Sequence, residues 1–438
     1  MTSNENFRYG ETLRAYFPQA VEWRHQLHKI PQPSWLEFYA TAFVAEKLSE
    51  WGYEVKQGQD VIDAKKLLLL PGEYKLDEEY QRALKAGVKE KYLAPAKGGL
   101  TGVVATIKGA KPGPVIGFRF DIDSNEVMEC YETDHLPFKK GFASQTPGFA
   151  HMCGHDAHIA MGLLLAKCFA DHKAEFSGTV KLIFQPNEEN LSGAAAMVDK
   201  GVVDDLAYLF SGHVGTGLQE LGQISFNVHN IMAMSRFEVT FLGRSAHSAG
   251  NPEKGKNALH GACAAIMNLL AIARHSGGPT RVNVGTIEAG TTWNVIPERA
   301  YFRMETRGVK TETNEYMMKR AFEIIEGAAK MHDLRYEIKP AAVCFSGENS
   351  PDLMALAEQV AGQLPSVTKV VPYSELNGSE DITVFMDRVQ KKGGKALFTL
   401  FGTPIGGGHH NSKFDIDERV IHNAAEFYLA MHSAVTKT

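Results

Sequence analysis

The sequence predicts an α/β protein whose mostly parallel sheet is interrupted by a smaller α+β module. Three patterns carry that expectation. From Gly98 onward, short apolar runs bounded by Gly and Pro alternate with longer helical stretches, as in sheets built from crossover connections. Between about 232 and 342 the order changes to strand, helix, strand, strand, helix, strand, the split pattern of ferredoxin-like modules. The first pattern then resumes. A chain of 438 residues also exceeds one ordinary core. The expected layout is a larger domain in two parts, 1–231 and 343–438, with an inserted domain at 232–342.

The individual elements follow in order. Residues 11–51 read as helical, with Leu13, Tyr16, Phe17, Val21, Trp23 and Leu27, then a break at Pro31-Gln-Pro33, then a second helix from Glu37 to Trp51. The stretch 61–93 contains the charged pattern Leu76-Asp-Glu-Glu-Tyr-Gln-Arg-Ala-Leu-Lys-Ala and reads as a surface insertion with a solvated Lys/Glu face. Strands are expected at 103–107, 115–120, 179–184 and 206–210, with a helix at 156–171. The insert should hold strands at 237–242, 281–288, 299–306 and 336–341 and helices at 257–274 and 312–332. A helix at 351–363, a strand at 396–401 and a helix at 417–435 complete the chain. No internal repeats or low-complexity tracts are visible.

Composition excludes several function classes. Apolar content of 44% and charged content of 22% are those of a soluble globular protein. Forty-six basic against 51 acidic residues leave a net charge of −5 with no basic block, so a nucleic-acid partner has no electrostatic footprint. No apolar run approaches the roughly 20 residues that span a bilayer, so no membrane partner is expected. The polar start, Met1 to Glu11, does not read as a signal peptide. Five scattered cysteines (130, 153, 168, 263, 344) argue against a disulfide framework and for a reducing cytoplasmic setting.

The chemistry gathers around His151-Met-Cys-Gly-His-Asp-Ala-His158, one thiol and three imidazoles at the start of an apolar helix. Thiolate and imidazole are donors that zinc and its neighbours prefer. In open α/β sheets ligands collect beyond the carboxyl ends of strands. There the sequence puts Asp121 and Asp123, then Gln185-Pro-Asn-Glu188-Glu189, then Ser211-Gly-His213, then Gly406-Gly-Gly-His409-His410. Four strands delivering such side chains to one edge, beside the Cys153/His155 turn, read as a metal site. Asp123 reads as a carboxylate that orients a ligand histidine. His151 and His158 read as packing residues, and spacing alone does not separate His409 from His410. Adjacent Glu188 and Glu189 point different ways, so one can bind metal while the other moves protons, the machinery of amide hydrolysis. In the insert, His247 sits in a turn where a core histidine is unexpected. Asn294 and Arg307 bracket a hairpin, and a guanidinium suits a carboxylate; spacing leaves open whether Arg307 is instead a surface charge at a strand end.

With these residues in view, the chain resembles the M20 metallopeptidase superfamily, in its amidohydrolase branch of hippurate hydrolases and indole-acetyl-amino-acid hydrolases. The motifs are Phe118-Arg-Phe-Asp-Ile-Asp123, Met152-Cys-Gly-His-Asp-Ala-His158, Phe184-Gln-Pro-Asn-Glu-Glu189, Gly212-His213, Ala246-His247, Asn294-Val-Ile-Pro297 and His410-Asn-Ser-Lys-Phe-Asp415. The resemblance implies a zinc-peptidase-like catalytic domain with an inserted lid or dimerisation domain. It implies Cys153, His155, Glu189, His213 and His410 as ligands of two divalent ions, Mn2+ or Zn2+, with Cys153 bridging. It further implies Glu188 as general base and then acid, His247 as the group polarising the scissile carbonyl, and Asn294 and Arg307 as substrate-carboxylate holders. The implied substrate is a small aroyl-amino acid, first p-aminobenzoyl-glutamate. A general N-acyl amino acid range and a non-catalytic role in a hetero-oligomer are the alternatives. A homodimer or an assembly with a related subunit is also implied. Asn187 and Asn190 stand where the family commonly has Ala and Gly, and Asp121-Ile-Asp123-Ser-Asn-Glu replaces the usual Asp-x-Asp-Ala-Leu; neither change removes a ligand.

Overall fold

The structure, a computed structural model, describes residues 9–437. The polar start of the chain lies, through Arg8, outside the described residues. Two compact units form. The first gathers the chain through His229, Glu348–Leu376 and the chain from Val384 onward; the second comprises Asn230–Gly347 and Asn377–Thr383.

The first unit is built on an eight-stranded sheet. Its strands lie in the order Glu54–Gln57, Val103–Lys108, Ser177–Gln185, Lys111–Asp121, Tyr208–Val214, Lys395–Phe401, Gln223–Ser225, Lys369–Val370. The middle four run parallel. Val103–Lys108 pairs antiparallel with both of its neighbours, so the sheet is parallel at its centre and mixed toward its edges. Parallel strands covered on both faces need near-continuous apolar runs, which Phe118, Phe120, Leu182, Phe184, Leu209 and Phe210 provide; all are buried.

One expected strand is shifted, and one helix is unexpected. The strand expected at 206–210 occupies Tyr208–Val214, so His213 lies within it rather than beyond it. Parallel pairing with Lys395–Phe401, including His213 opposite Leu400, extends the ladder past the apolar run. The helix Ile382–Lys391 is absent from the sequence reading. Its start, Ile382-Thr-Val384, is β-branched and gives no helix signal, yet Ile382, Phe385, Met386 and Val389 are buried at helical spacing. In the stretch 61–93, the helix Glu73–Lys85 sends Leu76, Tyr80 and Ala83 into the first unit's core; its other charged residues face outward, but Glu79 is buried against Arg82 and Gln32, a departure from the expected solvated face.

The second unit is a four-stranded antiparallel sheet in the order Arg335–Cys344, Ala233–Leu242, Arg299–Gly308, Thr280–Ala289. Numbered along the chain this is 4-1-3-2, the ferredoxin-like order. Helices Ala258–Leu270 and Thr311–Met331 share a core with Phe237, Val239, Phe241 and Phe302.

One glycine fixes how closely the helix His155–Asp171 approaches the larger sheet. A Cβ on Gly162 would stand 2.7 Å from the Phe120 ring and 2.8 Å from the Phe184 ring. The helix His155–Asp171 therefore packs closely on the strands that end at Asp121 and Gln185. Overpacking of this kind typically costs about 1–3 kcal/mol.

Candidate metal centre

The four parallel strands of the first unit end at a common edge. Asp121 stands opposite Gln185 in register, and Val214 opposite Phe401. Gln185 leads into the Glu188–Glu189 turn, where Asn187 has φ 55. Asparagine tolerates that left-handed conformation better than most residues, and its side chain donates to Ser192 Oγ at 2.6 Å. Phe401 leads into the loop carrying His409 and His410, whose backbone N–H at His410 donates to Met152 O at 2.7 Å. Gly154, φ 89, starts the metal-turn helix; a Cβ there would meet Val214 at 2.7 Å.

The donors converge. Cys153, His155 and His213 place their ligand atoms within 4.8 Å of one another, as do Cys153, Glu189 and His410, and His155, Glu188 and Glu189. Cys153 belongs to two of these groups. Two of the imidazoles are oriented by their other nitrogen. His155 uses Nδ1 against the Asp123 carbonyl oxygen at 2.9 Å, leaving Nε2 buried without a partner. His213 Nδ1 lies 3.0 Å from Val214 O, and Nε2 faces Cys153 Sγ at 3.4 Å. Such tethering is how ligand histidines are normally held. Glu189 Oε1 is also buried without a partner, 3.9 Å from His155 Nε2. Buried polar atoms are nearly always paired, so two that face each other mark a place where a cation fits.

Electrostatics point the same way. Burial pushes the Cys153 thiol well above its usual range, and Glu189, Glu188 and Asp121 push it further. Burial alone would favour neutral His155, but Asp121 and Asp123 overcome it and hold its pKa up at about 10. Burial would raise Glu189, yet His410 and His155 bring it down to about 2. Acidic groups therefore dominate the cluster, and dications would neutralise that field while displacing the retained protons. His213 is pushed well below its usual range by burial and by His158 and His409; burial and His410 lower His409 to about 4. Neutral imidazoles are the form that binds metal.

Other sequence candidates take distinct places. His410 Nε2 lies 3.3 Å from Glu189 Oε2. His409 instead faces Cys153 Sγ at 3.5 Å and Thr216 Oγ1 at 3.4 Å. His158 engages Asp121 through Nδ1 and accepts the Val214 N–H at Nε2, so both ring nitrogens are in use. Asp123 meets His155 mainly through its backbone carbonyl, while its carboxylate accepts from Ser34 and from the Glu189 N–H. Asn125, which accepts the Met152 N–H, and Thr216 also face the site, but neither carries a motif signal by which sequence reasoning finds it. Arg24 and His28 are legible in principle: two basic residues four apart fall on the buried side of a helix with Leu13, Ala20 and Leu27.

In the second unit, His247 and Asn294 are joined by backbone pairing; Ser248 N donates to Asn294 O at 3.0 Å and Ile296 N to Ala246 O at 2.9 Å. His247 Nδ1 accepts from the N–H groups of Ala249 and Gly250. That fixes the proton on Nε2, making it an outward donor. Arg307 is already engaged: Nε and Nη2 donate to the two oxygens of Glu305 at 2.9 and 3.1 Å. Arg236 also pairs with Glu305, at 3.3 Å, so two guanidiniums share one carboxylate.

This fold and this set of residues define a class. The chain belongs to peptidase family M20/M25/M40, whose sequence pattern matches residues 117–434, and as a member it is a hydrolase of amide bonds. It is similar to the indole-3-acetyl-aspartic acid hydrolase of Enterobacter agglomerans, 41% identical over 95% of this chain and 96% of that protein. It is also similar to one subunit of the p-aminobenzoyl-glutamate hydrolase of Escherichia coli, 40% identical over the same shares. Among solved structures, the aminobenzoyl-glutamate utilization protein from Klebsiella pneumoniae matches with a TM-score of 0.82, 36% identity and 98% of both chains. A dinuclear metal-binding M20 peptidase from Bacillus subtilis matches with a TM-score of 0.68 and 25% identity, over 97% of this chain and 99% of that one.

Proposed function

We propose that the chain is a metal-dependent amidohydrolase that cleaves p-aminobenzoyl-glutamate to p-aminobenzoate and glutamate. The observation that carries this reading is the convergence of Cys153, His155, Glu189, His213 and His410, with Glu188 beside them, at one sheet edge. The names of two relatives support the substrate class, since each specifies an aromatic acyl group joined to a dicarboxylic amino acid.

The five residues would hold two divalent ions, Mn2+ or Zn2+. When bound, such ions supply Lewis acidity to the scissile carbonyl and lower the pKa of water in the site. Glu188 takes the proton of the attacking water and returns it to the nitrogen as the C–N bond breaks. His247 donates a hydrogen bond from its Nε2–H to the carbonyl oxygen, keeping its proton as negative charge develops there. Asn294 and Arg307 hold substrate carboxylate, Arg307 by sharing its fork with Glu305. A homodimer or an assembly with a related subunit, in the cytoplasm, completes the reading. Among the described residues no helix is long and apolar enough to cross a membrane.

The test is turnover by metal-loaded and metal-depleted protein on p-aminobenzoyl-glutamate, indole-3-acetyl-aspartate, hippurate and an acetyl-amino acid. The reading expects metal-dependent hydrolysis with the glutamate compound preferred. Preference for the aspartate compound would move the assignment to the other acidic amide, favoured by the 41% identity of that relative. Equal rates on all four would sink the specificity.

A further inference from the structure

Arg24 sits on the helix Gly10–Lys29, well before any of the metal-site residues in sequence, and its side chain is 1% exposed. Its guanidinium makes three ion pairs in three directions. Nε meets Asp156 Oδ2 at 3.0 Å, Nη2 meets Asp415 Oδ1 at 2.6 Å, and Nη1 meets Glu418 Oε1 at 3.0 Å. Asp156 directly follows His155. Asp415 and Glu418 stand at the base of the loop that carries His409 and His410. That loop closes as a hairpin, with Ile405 bridged to Ile416 and Gly406 N donating to Asp415 O at 2.9 Å. Its tip meets the Cys153–His155 turn through the bond from His410 N to Met152 O at 2.7 Å and the contact of His409 Nδ1 with Cys153 Sγ at 3.5 Å. One buried planar cation thus joins two ligand-bearing segments that are more than 250 residues apart in sequence.

We propose that Arg24 is a positioning residue for the metal centre: by clasping Asp156 to Asp415 and Glu418, it sets the spacing between the Cys153–His155 turn and His410. The inference rests on the metal reading above but not on its substrate. A lysine cannot replace the clasp, because a point charge on a flexible stem does not address three carboxylates in one plane. His28 also reaches Asp156 Oδ2, at 2.8 Å. Asp156 therefore keeps a cationic neighbour when Arg24 is changed, which favours folded variants.

The experiment uses the full chain, with Zn2+ and Co2+ as probes in competition with a chelator. The variants are Arg24→Lys, the double change Asp415→Asn with Glu418→Gln, and Arg419→Ala as a control at an exposed residue where the loop enters the helix Arg419–Val435. Wild type and control should hold two ions. Arg24→Lys and the double variant should lose about 10- to 100-fold in affinity for one of them, the usual effect of removing a residue that orients ligands. Their Co2+ absorption bands should shift. If Arg24→Lys does not fold, the double variant, whose side chains are 12% and 19% exposed, decides alone. Two ions held as tightly as in wild type, with unchanged bands and only a lower Tm, would make Arg24 a purely structural residue and overturn the inference. Wild-type protein that takes up no metal would overturn the metal reading and this inference together.

Discussion

The candidate residues of the two units differ in how they are held. In the first unit, His155, His213 and Glu188 are 0%, 6% and 7% exposed, with only His410, at 55%, on the rim of the set. In the second, His247 and Asn294 are exposed and their surroundings are backbone turns. Burying polar groups is costly unless they are satisfied. A buried cluster with orphaned donor atoms therefore announces its ligand. Exposed residues bear no such cost, and their chemistry shows only in details such as the amides that fix the His247 tautomer. The first unit's set diagnoses a cation; the second unit's set has to be probed by its effect on turnover.

The sharpest way to separate the two sets begins with Glu188→Gln. The substitution removes the proton carrier but none of the five expected ligands, so kcat should fall about 10²- to 10⁴-fold with metal content unchanged. Steady-state rates together with metal analysis check this. Unchanged activity in the purified assembly would instead make the chain a non-catalytic subunit.

His247→Ala comes next. Removing one donor to a developing oxyanion costs about 10²- to 10³-fold in kcat. Because His247 belongs to the second unit's exposed set, its removal should leave metal affinity untouched. A variant that lost metal would erase the contrast between the units.

Much of this is legible in the sequence, for identifiable reasons. The parallel core is readable because strands buried on both faces must be apolar throughout, as 115–120 and 179–184 are. The donor cluster is readable because Glu188, Glu189, His213 and His410 end or follow such strands, while Cys153 and His155 open the apolar helix between two of them. The sequence misplaces His213 by a few residues, since the ladder with Lys395–Phe401 extends through Ser211 and Gly212, which carry no strand signal. The engagement of Arg307 by Glu305 and Arg236 depends on cross-strand neighbours set by register, with Arg236 opposite Glu305, and no local pattern records that.

The two adjacent histidines give a smaller effect that spacing does not assign. His410 stands within reach of Cys153 and Glu189, whereas His409 leans on Cys153 and Thr216. His410→Ala should lower the affinity for one ion about 10- to 100-fold, while His409→Ala, which acts on orientation, should fall at or below the low end of that range. Chelator competition on both variants decides, and the reverse order would exchange their roles.

The last expected effect is on stability rather than on activity. Burial alone would lower His28, but its bonds to Asp156 and Glu129 win and hold it up at about 9. The unfolded imidazole titrates near 6.5, so this group stabilises fully below about pH 6.5 and loses its contribution as pH rises through 9. Glu129 behaves oppositely. Burial would raise it, yet His135 and His28 bring it down to about 2, so its contribution is present above about 4.5 and lost as pH falls toward 2. The network is therefore most stabilising between about pH 4.5 and 6.5. Raising the pH of metal-loaded protein from 6.5 to 9 should cost on the order of 3 kcal/mol through His28. His28→Gln should flatten that alkaline limb in denaturant or thermal unfolding, since an amide does not titrate. Equal alkaline losses in wild type and variant would show that the proton on His28 does not contribute to holding the first unit together.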